Sequence, residues 1–106
     1  MITRDGIFVD GRWRKSTGTE MLVVVDPHSE LPFGQASIGT GEDVDRAVTS
    51  AEKALRGEWA ETTLDERTAI VTRIGELLAK RREEIASLNT RSMGSTYRTA
   101  LGLGGA

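Results

Sequence analysis

The chain contains no cysteine and a single histidine, His28, so the first question is what chemistry its remaining side chains can do. Without cysteine there is no thiolate nucleophile, no disulfide and no thiolate metal ligand. One imidazole without a spaced set of acids or thiols makes a poor metal site, and His28 reads as a turn residue in solvent. Ser92, Ser95 and Tyr97 gather around Gly94, but no histidine lies nearby in sequence to act as base. Leu101 also stands four residues after Tyr97, where a reductase-type Tyr/Lys pair needs lysine. A helix end and its loop explain that cluster better. Gly102-Leu103-Gly104-Gly105 has the look of a phosphate-binding loop, yet such a loop follows a strand and opens a helix whose N-terminus receives the pyrophosphate. Only Ala106 follows it.

Two further groups invite a binding role and read more plainly as structure. Lys80-Arg81-Arg82 is answered at once by Glu83-Glu84, and Glu76 sits four residues before Lys80 as a helix-supporting pair, so a solvated helical face is expected. Trp13 and Trp59 read as anchors that close a hairpin and an inter-helix connection over the core. No catalytic, cofactor-binding or metal residue is therefore assigned.

The elements carry clearer signals than the sites. Apolar residues flank Asp10-Gly11, the pair that best tolerates the two positive φ angles of a type I′ turn, which predicts a β-hairpin through Ile7–Val9 and Arg12–Arg14. Met21–Val25 is continuous and β-branched, as in a strand buried on both faces, and Asp26-Pro27 stops it. Leu31–Ile38 reads as a return strand that Pro32 and Gly34 push to a sheet edge. The hairpins thus span about 7–38.

At Thr40 the period changes. Thr40-Gly41-Glu42-Asp43 resembles a capping box, and Val44, Ala47, Val48, Ala51, Ala54 and Leu55 follow at helical spacing, predicting a helix over about 41–56 with Gly57 as its stop. Thr63-Leu64-Asp65-Glu66 is a second capping box. Ile70, Ile74, Leu77, Leu78, Ile85 and Leu88 continue one stripe, predicting a helix over about 64–92, and a frayed glycine-rich tail is expected over 101–106. A continuous helix from Leu64 to Leu88 would run about 37 Å, too long for 106 residues to cover by themselves. The stripe implies a missing partner surface.

Read in order, "IFVDGRWR", "VVVDPHSE" and the run from Gly39 to Ser95 resemble the N-terminal part of the NAD(P)-dependent aldehyde dehydrogenase superfamily. Glu42-Asp43-Val44 and Ala47, then Trp59-Ala60, then Glu66-Arg67 carry the resemblance most specifically, matching a helix, a tryptophan-containing connection and a second long helix. The chain departs from the pattern at Asp26, commonly asparagine, and at His28-Ser29-Glu30, which replaces a Thr-Gly-Glu turn. Ser92 and Ser95 stand where glutamate and lysine are frequent.

The resemblance implies an α/β family whose reaction is NAD(P)-dependent oxidation of an aldehyde to a carboxylic acid by a nucleophilic cysteine. The 1–106 region then corresponds to the N-terminal segment of a cofactor-binding domain, α+β when taken alone, with β-hairpins followed by two long antiparallel helices. The nucleophile and cofactor site belong to downstream parts of such enzymes, so this chain is expected to bind no cofactor, to turn over no aldehyde alone, and to pair with the remainder of a dehydrogenase subunit or another protein surface. The alternative is a non-catalytic interaction module that docks through Ile70, Ile74, Leu77, Leu78 and Ile85. A formal charge of -2, from 14 basic and 16 acidic residues, gives no field to gather nucleic acid. No apolar run approaches the length of a membrane span or a signal peptide, so neither membrane nor export is expected and the cytoplasm is the anticipated location.

Overall fold

The computed structural model describes residues 1–103. The glycines at 104 and 105 and the residue at 106, half of the tail expected to fray, lie outside the described residues. The chain divides into two compact units, Met1–Val24 with Pro32–Thr62, and Val25–Leu31 with Thr63–Ala106.

In the first unit, β1 (Ile2–Arg4), β5 (Pro32–Ser37) and β4 (Met21–Val25) form a three-stranded sheet in that order, and β2 (Gly6–Val9) and β3 (Arg12–Lys15) form a separate two-stranded sheet. The hairpin is as the sequence predicts: Val9 faces Arg12, and Asp10 and Gly11 both take positive φ, 55° and 73°. The expectation for the next two strands is reversed. β5, expected at an edge, is central, with β1 parallel to it in the register Ile2–Gly34, Thr3–Gln35 and Arg4–Ala36. Pro32 is tolerated because it is the first residue of the strand, where its missing N–H costs least. At Gly34 an added Cβ would stand 3.3 Å from the Ile2 carbonyl oxygen, so the glycine admits β1 rather than weakening the sheet. β4, expected to be buried on both faces, is instead at an edge, with Leu22, Val23 and Val25 exposed.

Helix α1 (Gly41–Ala54) begins on the predicted capping box, with Thr40 as N-cap and Asp43 three residues on. It ends at Leu55 rather than at Gly57, which sits at φ -97° and leads a 3-10 turn, Glu58–Glu61. Gly57 is therefore not a left-handed stop.

In the second unit the single long helix expected over about 64–92 is two helices, and a third follows it. The second capping box, Thr63 with Glu66, starts α2 (Leu64–Lys80), but the chain breaks at Arg81, whose φ of -106° and ψ of 15° lie between the helical and extended regions. The guanidinium of Arg81 grips Glu84 through Nε at 2.9 Å and Nη2 at 2.8 Å, and its N–H tightens back to the Leu78 carbonyl. No apolar residue stands between Ala79 and Ile85, so nothing on the stripe holds the rod continuous there. The acids Glu83 and Glu84 favour a new N-terminus.

Helix α3 (Arg82–Met93) closes on Gly94 in the left-handed conformation, φ 75°. Thr96 then caps α4 (Tyr97–Leu103) by accepting from the Thr99 N–H, so residues 101–103 are helical where fraying was expected. α3 and α4 pack together. Ala86 on one and Ala100 on the other are the buried apolar residues of the described chain.

Candidate functional site

The densest polar cluster lies in the first unit and is built on Asp43, 4% exposed. Its Oδ2 accepts from the Thr40 N–H at 2.9 Å, and the Thr17 N–H lies 3.2 Å from both carboxylate oxygens. Ser16 Oγ is 2.9 Å from the same Oδ2 and 2.8 Å from the Ile38 carbonyl, so its one proton is shared between two acceptors while it receives the Gly18 N–H. Thr17 and Thr40 also meet hydroxyl to hydroxyl. The Thr40 N–H first, and then Ser16 and Thr17, hold the Asp43 carboxyl well below the usual range, at about 2. A carboxylate so saturated with donors is a weak base. It ties the loop at 16–18 to the start of α1, which is a structural task.

Beside this knot, β2, β3 and α1 border a groove of about 370 Å³. Ile7 and Val9 form its apolar side, Arg14, Lys15 and Lys53 bring cations, and Asp45 and the ion pair Arg46–Glu42, 2.8 Å, complete the rim. The arrangement holds no nucleophile and base in contact.

The residues singled out in the sequence fall into structural roles. His28 is exposed in the 26–31 turn, where its own N–H donates to Asp26 Oδ1 at 2.8 Å; that bond is the main cause of the lowered pKa of Asp26. Among the described residues no group of His, Cys, Asp and Glu could hold a metal, and no helix is long and apolar enough to cross a membrane. Ser92 Oγ bonds back to the Leu88 carbonyl at 2.7 Å, Tyr97 begins α4, and Ser95 Oγ is a buried hydroxyl without a hydrogen-bond partner. The three do not converge on a reacting centre.

The charge run is spent locally: Arg81 on Glu84, and Arg82 Nε on the Leu101 carbonyl at 3.0 Å. Glu76 pairs with Arg73 at 3.2 Å, not with Lys80 as expected, because the i,i+3 arginine reaches it. Trp13 packs edge-to-face on Phe8, centroids 5.4 Å apart, but on an open face: it is 69% and Phe8 60% exposed, so the hairpin anchor closes over no core. Trp59 is 42% exposed at the 3-10 turn.

Gly102 lies in the last turn of α4, at the end of a helix where carbonyls rather than N–H groups are presented.

What the structure does offer is uncovered apolar surface. On α2, Ile70, Val71, Ile74, Leu77 and Leu78 are between 44% and 67% exposed. Covering the exposed halves of such side chains is worth about 1 kcal/mol each. The break at Arg81 leaves Ile85, half-buried, on a separate helix, α3.

Comparison with known proteins gives this pattern a context. The model of the aldehyde dehydrogenase family matches residues 13–103. Malonate-semialdehyde dehydrogenase 1 of Geobacillus kaustophilus is 35% identical over 95 residues, 90% of this chain and 19% of that protein. The crystal structure of an aldehyde dehydrogenase from Bartonella henselae superposes with a TM-score of 0.92 at 29% identity, covering 96% of this chain and 21% of that one. A betaine aldehyde dehydrogenase from Staphylococcus aureus, solved with NAD+, gives 0.88 at 28% identity over 92% of this chain and 20% of that one. The chain spans about a fifth of the length of these relatives.

Proposed function

This chain belongs to the aldehyde dehydrogenase family, and we propose that it serves as a packing scaffold, the N-terminal segment of an NAD(P)-dependent enzyme that oxidises an aldehyde to a carboxylic acid, without turnover of its own. The observation that carries the reading is the row Ile70, Val71, Ile74, Leu77 and Leu78 on α2, half or more exposed on average, in a chain whose buried apolar residues among those described are two alanines. Side chains of this kind are covered in a folded domain. The body that covers them is the remainder of a dehydrogenase subunit. The nucleophile this chemistry requires is a thiolate in the family pattern, and the 106 residues contain none. The reading extends to the cofactor: these residues bind neither NAD nor NADP, in keeping with the poor fit at Gly102.

The test is direct. The purified chain, supplied with a panel of short aldehydes and either dinucleotide, should give no nicotinamide reduction above a blank, and titration calorimetry should give no saturable heat with NAD+. Aldehyde-dependent NADH from a preparation free of host dehydrogenases overturns the reading. An independent interaction module docking through Ile70, Ile74, Leu77, Leu78 and Ile85 is less well supported, because the Arg81 break divides that row between two helices.

A further inference from the structure

The two-stranded sheet leaves the outer edge of β3 open. β3 is hydrogen-bonded to β2 alone, all four of its residues are exposed, and among the described residues its main chain makes no other backbone hydrogen bond. The two faces beside that edge differ in chemistry. Arg12 and Arg14, opposite Val9 and Ile7, lie on one face; Phe8 and Trp13, opposite each other and edge-to-face, lie on the other. Arg12, Arg14 and Lys15 make no ion pair among the described residues; of the acids nearby, Asp43 is held in its knot, Glu42 is on Arg46 and Asp10 accepts from Ser50, while Asp45 stands on the groove's rim.

A chain that adds to a sheet edge sets alternate side chains on alternate faces, so it meets the cations with one set and the aromatic pair with the other. We propose that the outer edge of β3 takes up an extended segment of a separate protein, with carboxylates at alternate positions and apolar side chains between them. Its carboxylates face Arg12 and Arg14. A second copy of this chain is disfavoured as occupant, because edge-to-edge pairing of two β3 strands sets arginine against arginine. Charged edges block self-association in this way; here the same charges select an acidic partner. The inference is independent of what covers α2.

The probe is a fluorescein-labelled hexapeptide of alternating Glu and Val, titrated against the full chain by fluorescence anisotropy with Trp13 emission as a second signal. Saturable binding is expected, weakening about tenfold as sodium chloride rises from about 50 to 500 mM, and weakening at least as much in the Arg12→Gln/Arg14→Gln double variant. The same peptide N-methylated at alternate amides keeps its charge but cannot form the ladder, and should not bind. Because that control leaves the protein unaltered, it stands even if the double variant folds poorly. Equal binding of the N-methylated peptide, of hexaglutamate or of a short single-stranded DNA reduces the edge to a general anion surface and overturns the proposal, as does the absence of saturable binding.

Discussion

Thr40 and Asp43 exchange hydrogen bonds across three residues: the Thr40 N–H donates to Asp43 Oδ2 at 2.9 Å, and the Asp43 N–H donates to Thr40 Oγ1 at 3.3 Å. Because the same carboxylate receives the Ser16 hydroxyl and the Thr17 N–H, one side chain both starts α1 and fastens a loop more than twenty residues earlier. Asp43→Ala should therefore lower the thermal midpoint more than loss of an ordinary N-cap, by roughly 4–8 °C. Asp43→Asn should fall between the two, since its amide keeps one acceptor. Circular dichroism melts of the three proteins decide it.

The same group sets an acid limit. Its pKa is lowered from 3.8 to about 2 on folding, so its contribution is fully present above the unfolded value and is lost as pH falls through the folded one. Stability should be flat in this respect above about pH 5 and decline towards about pH 2. The decline should be smaller in Asp43→Asn, which has no carboxylate to protonate. A steeper decline in the variant contradicts the assignment.

Two glycines should respond oppositely to alanine. At Gly94, φ is 75° and an added Cβ would lie 2.9 Å from Pro27 Cγ, part of a ring that cannot swing aside. Gly94→Ala should destabilise by about 1–2 kcal/mol from the backbone alone, and more with the contact. Gly75, inside α2, would meet nothing within 4 Å, and Gly75→Ala should stabilise by about 1 kcal/mol. Urea titrations followed by helical ellipticity measure both.

Glu30 holds a positive φ of 61° in the turn from Asp26 to Leu31. A glycine there removes the Cβ penalty, and Glu30→Gly should stabilise by about 1 kcal/mol. An unchanged or lower urea midpoint counts against strain at that position.

Ile74 is 51% and Leu77 44% exposed. In a closed core each truncation to alanine costs about 2–5 kcal/mol; in this chain each should cost less than about 1.5. The same substitutions should also reduce binding of an apolar dye. A core-sized loss on the isolated chain refutes the scaffold reading.

Local signals were the legible ones. Both capping boxes, the Asp10-Gly11 turn and the helical period of α1 and α2 depend on residues within a few positions of each other, and each appears where the pattern puts it. The two reversed strands concern partners distant in sequence. Pro32 and Gly34 argue for an edge until β1, some thirty residues earlier, is seen to need the bare Gly34 backbone. The run Met21–Val25 argues for burial by its composition, yet Leu22, Val23 and Val25 are exposed among the described residues. The break at Arg81 left a trace in the run of charges, but a stripe with apolar residues on both sides of it reads as continuous. Similarly, the Asp43 cluster was half legible: its helix cap is local, whereas Ser16 and Thr17 join it only through the fold.

The parallel pairing of Ile2–Arg4 with Gly34–Ala36 fixes an order of events during synthesis. β1 leaves the ribosome ahead of β5 and has no ladder to join until β5 is made, about 2–6 s later at ordinary elongation rates. Through that interval its main chain is satisfied by water alone.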